Sequence, residues 1–157
     1  MKVIFLDIDG VLNTPSSESR CGEYIGIDDD KTERLAGIVK RTKAEIVLVS
    51  TWKKYWRKEE KLKPLQDYSA TYLDEKLKKF GIKAADKTKD KSDGKYLSRG
   101  EGILEYIERN KVENYVILDD FQFDYDGLGL TDCLIKTRQT EGLTTAQAEK
   151  ACEILSK

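Results

Sequence analysis

The stretch Met1 to Asn13, MKVIFLDIDGVLN, holds an apolar run from Val3 to Leu6 that stops abruptly at two carboxylates, Asp7 and Asp9, with Gly10 behind them. A short run that is apolar without alternation reads as a strand buried on both faces of a parallel sheet. Acids at its carboxyl end then stand at the edge where open α/β sheets hold their ligands. The design recurs twice. Glu45 to Ser50, EIVLVS, is near-continuously apolar and ends in Ser50 and Thr51, and Tyr115 to Leu118 runs into Asp119 and Asp120. Weaker strands are expected at Ile82 to Ala85 and at Cys133 to Ile135.

Between these runs the apolar period changes to that of a helix. Asp28, Asp29 and Asp30 open one, as acids do at the positive end of the dipole, and Leu35, Ile38 and Val39 share its face. A second helix from Ser69 carries Leu73, Leu77 and Phe80 at helical spacing. Ser98 and Glu101 form a capping box ahead of Ile103, Leu104 and Ile107. A last helix, capped at Thr144 or Thr145, buries Ala148, Ala151, Cys152 and Leu155. Thr14 to Gly26 reads as a loop, and DKTKDKSDGK, Asp86 to Lys95, as a mobile one. Five strands alternating with helices predict a single domain over residues 1–157. Its class is α/β: a Rossmann-like, doubly wound, mainly parallel five-stranded sheet with helices on both faces. Neither loop has room for a folded cap, so a minimal cap and an open site are expected.

Composition narrows the chemistry. The 28 basic and 29 acidic residues nearly cancel, so no global charge favours a nucleic-acid or membrane partner. The apolar run after Lys2 is too short for a signal-peptide core, and no stretch approaches the ~20 apolar residues of a membrane span. The expectation is a soluble, cytoplasmic protein with no membrane partner. Cys21, Cys133 and Cys152 are odd in number and lack CxxC spacing, which argues for free thiols over a disulfide framework or structural zinc. There is no histidine, which removes Ser-His-Asp, Cys-His and His-ligated metal mechanisms. Catalysis must rest on carboxylates, hydroxyls and cations.

In a parallel sheet the three strand ends lie on one edge, gathering Asp7, Asp9, Ser50, Thr51, Asp119 and Asp120. Like charges in close pairs repel by roughly 4 kcal/mol each at an effective dielectric of about 20, so the cluster demands a counter-charge. An oxygen-only set suits Mg²⁺ before Zn²⁺, and Mg²⁺ usually completes its shell with substrate phosphate.

These motifs resemble those of the haloacid dehalogenase (HAD) phosphohydrolases. DIDGVLN from Asp7 is similar to that superfamily's first motif and Ser50 to its second. Asp119 and Asp120 in VILDDFQFD are similar to its acidic fourth motif, with Asp124 as the further acid that often follows. Arg99 is the best match to the third-motif cation, with Lys95 as substitute. The combination DIDGVLN, VSTWK, SRGEGI, ILDD and GLT at Gly142 to Thr144 most resembles the small, nearly capless HAD domains associated with RNA-repair proteins. The resemblance implies a Mg²⁺-dependent phosphomonoester hydrolase acting through an aspartyl-phosphate. Asp7 would be the nucleophile and Asp9 the general acid and then base. Ser50, Thr51 and Gly10 would hold the phosphoryl group and Arg99 would balance its charge. Asp7, Asp9 through its carbonyl, and Asp119 or Asp120 would bind Mg²⁺. Asp9 favours phosphate over halide, since true dehalogenases of this fold need no second aspartate.

The implied substrate is a nucleotide or a nucleic-acid terminal phosphate. The alternatives are an open-site protein phosphatase and a non-catalytic phosphate- or metal-binding regulatory domain. The segment WKKYWRK, Trp52 to Lys58, sustains two readings: an aromatic, basic surface for a nucleotide or nucleic-acid end, or an amphipathic helix with its aromatics on the core and its lysines in water. Asp124 and Asp126 read equally as supports of the site or as plain loop acids.

Overall fold

The computed structural model describes residues 1–157. In chain order the elements are β1 (Lys2–Leu6), a hairpin of β2 (Arg20–Cys21) and β3 (Tyr24–Ile25), α1 (Asp29–Thr42), β4 (Glu45–Leu48) and α2 (Tyr68–Lys79). Then follow β5 (Ala84–Lys87), a hairpin of β6 (Lys91–Ser92) and β7 (Lys95–Tyr96), α3 (Arg99–Asn110), β8 (Asn114–Asp119), β9 (Leu134–Lys136) and α4 (Thr145–Leu155). The three apolar runs take the middle of a five-stranded, all-parallel sheet of order β5-β4-β1-β8-β9, where both faces are covered.

Side-chain alternation along β1 divides the interior in two. Ile4 and Leu6 pack with Ile46, Leu48, Val116 and Leu118 against α1, α2 and α4 through Leu35, Leu73 and Ala151. Val3 and Phe5 pack with Val47 and Ile117 on the other face, against Ile103 and Tyr106 of α3. Each such side chain contributes about 1.5–3 kcal/mol when fully buried. Register then levels the strand ends: Leu6 pairs with both Leu48 and Leu118. Asp7 and Asp119 follow at one height, and by alternation both turn toward α3.

The caps follow the sequence closely. Ser98 and Glu101 close a capping box on α3, and Thr144 caps α4 with Gln147. Helix α2 starts one residue before Ser69, because Asp67 caps it by accepting the Ala70 amide. Other expectations need correction. The edge strand β5 lies two residues later than Ile82 to Ala85, since Ile82 closes the end of α2 by donating to Leu77. The stretch Asp86 to Lys95 is not a mobile loop: β5 takes its first residues and a hairpin the rest. Asp93 and Gly94 both have positive φ, as a tight two-residue hairpin turn requires. Leu104 is exposed, and Tyr106 takes its place in the core with its hydroxyl donating to Asp86. Trp52 to Lys58 is no amphipathic helix: a 3-10 turn covers Thr51–Lys53, Trp56 is buried, and Lys53 is buried too instead of standing in water. All three cysteines are free thiols. No helix is long and apolar enough to cross a membrane.

Candidate active site

The parallel ladder continues one residue past β1: the Asp7 amide donates to Leu118 O at 2.9 Å, which fixes the carboxylate where the strands end. Asp7, Asp119 and Asp120 bring carboxylate oxygens within 4.8 Å of one another. The nearest cation is Arg99, the first residue of α3, whose Nη1 lies 3.2 Å from Asp7 Oδ1 and 3.0 Å from Asp119 Oδ2. A cation has no dipolar reason to open a helix. Here the chain holds it there: Asp124 accepts from the Ser98 hydroxyl and, at 2.9 Å, from the Gly100 amide, clasping the residues on either side. The Phe123 ring lies under the guanidinium, 4.1 Å from its carbon. Lys95, by contrast, is exposed on β7.

Asp119 is fully buried and is also held by the Tyr125 hydroxyl at 2.7 Å and the Phe121 amide at 3.1 Å. These donors and Arg99 engage both its oxygens. Burial, followed by the charge of Asp119, pushes the Asp7 carboxyl up to about 8, and Arg99 offsets this only in part. Asp120 is raised as well, by burial and by Asp119. The Tyr125 hydroxyl is pushed up by burial and by Asp119, and so stays a donor. Burial works against the Arg99 charge, but Asp7 and Asp119 outweigh it and raise the guanidinium. Three carboxylates with no nitrogen or sulfur donor among them fit a hard cation such as Mg²⁺, which would relieve this accumulation of charge.

Asp9 stands apart. The chain leaves the strand in a turn anchored by Ile8, whose carbonyl accepts the Val11 and Leu12 amides. Asp9 thereby swings out to solvent, with its carboxylate held by Asn13 Nδ2 at 2.9 Å and by the Trp52 indole N–H at 3.2 Å. Gly10 turns the chain at φ 82°, and any Cβ there would lie 2.3 Å from Asp120 Oδ2. Its amide already donates to Asn13 Oδ1, so what Gly10 supplies is room for Asp120. Ser50 is buried at the end of the neighbouring strand, its Oγ accepting the Trp52 amide, and Thr51 lies exposed beside it.

A family model described as the HAD domain in Swiss Army Knife RNA repair proteins matches residues 3–148. The chain belongs to this family. No curated protein and no solved structure matches it. Membership fits the parallel five-stranded sheet and supports a phosphohydrolase-type function in an RNA-repair context, in a family of domains that generally use Mg²⁺.

In this HAD domain Thr51 divides two clefts. On one side is a polar cleft of about 240 Å³ walled by Lys53, Lys54, Lys89 and Arg99. Lys53 is spent on structure there: it donates to Thr88 and pairs with Asp90 at 2.8 Å, and burial lowers its ammonium pKa. On the other side is a cleft of about 580 Å³ shared by Asp9, Cys21, Tyr24, Ile25 and Trp52. Sequence reasoning missed Tyr125, Phe123 and the supporting roles of Asn13 and the Trp52 indole. Strand alternation, applied to Asp7 and Asp119, was the one signal that could have pointed them at α3; nothing marked Tyr125.

Proposed function

We propose that this HAD domain is a Mg²⁺-dependent phosphomonoester hydrolase acting through an aspartyl-phosphate on Asp7, with a nucleotide or a nucleic-acid terminal phosphate as substrate. One observation carries the reading: two aspartates two residues apart have opposite surroundings, Asp7 buried with Arg99, Asp119 and Asp120, and Asp9 exposed on an open cleft. A nucleophile gains from a water-poor, charge-compensated site, while an acid that must serve an alcohol and then water needs access to both.

A carboxylate oxygen of Asp7 attacks phosphorus and the bond to the ester oxygen breaks, the departing oxygen taking the Asp9 proton. Water then attacks the phosphorus of the acyl phosphate, Asp9 accepts the water's proton, and phosphate leaves with Asp7 restored. The transferring group carries its charge beside Arg99, and the Ser50 hydroxyl with the Thr51 amide would hold a phosphoryl oxygen. Asp7 and Asp120, which hydrogen bonds leave less engaged than Asp119, would hold the metal with the Asp9 carbonyl, and the metal's chemistry there is charge neutralisation. Arg99 keeps Asp7 aimed, and Asp124 keeps Arg99 in place. The chain's two hairpins are built of two-residue strands and no separate cap domain covers the site, so bulky phosphorylated ends have access.

The test is phosphate release from an aryl phosphate, nucleoside 3′- and 5′-monophosphates and end-phosphorylated oligonucleotides, with Mg²⁺ and with chelator. Metal-dependent release that Asp7→Asn abolishes is the expected outcome. Full activity in Asp7→Asn would remove Asp7 as nucleophile.

A further inference from the structure

The cleft beside Asp9 has an anatomy that phosphoryl transfer alone does not require. An oxygen protonated by Asp9 departs into this space, so whatever lines it meets the leaving group. One wall is Trp52, fixed by its N–H on Asp9 and by its ring lying 6.3 Å from that of Tyr72. Another is Tyr24 of the β2–β3 hairpin, which is 77% exposed. A side chain so exposed adds little to folding, yet its hairpin is held firmly.

The Ile27 amide donates to the Tyr72 hydroxyl at 3.0 Å, and Gly26 O accepts from Asn13 Nδ2, the same amide that holds Asp9. A Cβ on Gly26 would lie 2.3 Å from that tyrosine oxygen, so only glycine lets hairpin and α2 meet this closely. Asn13 and Tyr72 therefore tie the hairpin, Trp52 and the acid into one unit. Glu23 and Ser69 add polar groups at the same cleft.

Two aromatic faces on a rigid frame beside a general acid suit a planar ring, because stacking needs flat partners held in place and accepts any base. We infer that this cleft is the leaving-group subsite and takes the base of a nucleoside against Trp52 and Tyr24. The inference rests on the phosphatase reading and adds to it the place where the base of the nucleotide or nucleic-acid end is held.

The experiment compares kcat/KM for a nucleoside monophosphate and for glycerol phosphate in wild type and Tyr24→Ala, a substitution at an exposed site that leaves the core untouched. The expected result is a wild-type preference for the nucleotide that Tyr24→Ala lowers about fivefold or more, mainly through KM. A second readout needs no turnover: adenosine should quench the fluorescence of Trp52, the less buried of the two tryptophans, and more weakly in Tyr24→Ala. Equal wild-type kcat/KM for the two esters, or a preference unchanged in Tyr24→Ala, would overturn the subsite. A wild type inert on every phosphomonoester would bring down the phosphatase reading instead, and adenosine quenching would then decide the cleft alone.

Discussion

Asp7 and Asp9 leave the same strand two residues apart, yet one is buried against an arginine and two acids while the other stands in solvent between an indole and an amide. The difference separates two kinds of cost. Around Asp7 the fold concentrates charge it cannot solvate, a cost in stability that the role proposed for Asp7 would explain. Around Asp9 almost nothing is given up, since water still reaches the carboxylate.

The largest expected effect breaks the comparison from its buried side. Asp7→Asn should abolish turnover, by about 10⁴-fold or more, and also raise the melting temperature of the chelator-treated protein. The sign follows from linkage. The Asp7 carboxyl is raised in the folded state from 3.8 to about 8, so the stability it allows is fully present below about pH 4 and is lost as pH rises through about 8. The advantage of Asp7→Asn over wild type should therefore be near zero at the acid end and grow toward pH 8, on the order of a few kcal/mol. Melting curves across that range check it, and Mg²⁺ should shrink the gap.

Asp9→Asn should lower kcat by about 10²- to 10⁴-fold and leave the chelator melting temperature unchanged. A melting shift as large as that of Asp7→Asn would mean the two sites are not distinct. Tyr125→Phe sharpens the buried side: it removes a donor from the fully buried Asp119 and should cost about 1–3 kcal/mol in denaturant unfolding. Trp52→Phe keeps an aromatic face but removes the indole N–H from Asp9. Only a few-fold loss in kcat is expected, because Asn13 still holds the carboxylate.

The parts legible in the sequence were those in which each residue obeys a local rule. Val3 to Leu6, Ile46 to Leu48 and Val116 to Leu118 are apolar because both their faces are covered, so they announce themselves. Edge strand β5, with the sequence AADK, carries no such run. Its Lys87 instead reaches the Lys53 and Trp56 carbonyls, a contact invisible before folding. The Asp93–Gly94 pair was a readable hairpin signal hidden in a lysine-rich stretch that looked disordered. WKKYWRK misled because its aromatics and cations serve opposite ends: Trp56 enters the core and donates to Asp74, whereas Trp52 serves Asp9.

By itself the sequence determined the class of fold, the edge of the sheet where acids would gather, the caps of α3 and α4 and the exclusion of histidine chemistry. Each of these depends on residue type and short-range spacing alone. Only the tertiary structure decided that Arg99 meets Asp7 and Asp119, that Asp119 is engaged by Tyr125 while Asp120 is spared, and that Asp9 turns away to face Trp52 and Tyr24. Apart from Asp119 and Tyr125, which are six positions apart, those pairings join residues 15 to 92 positions apart. They are set by strand register and by the angle at which each loop leaves the sheet, quantities that no local window of sequence contains.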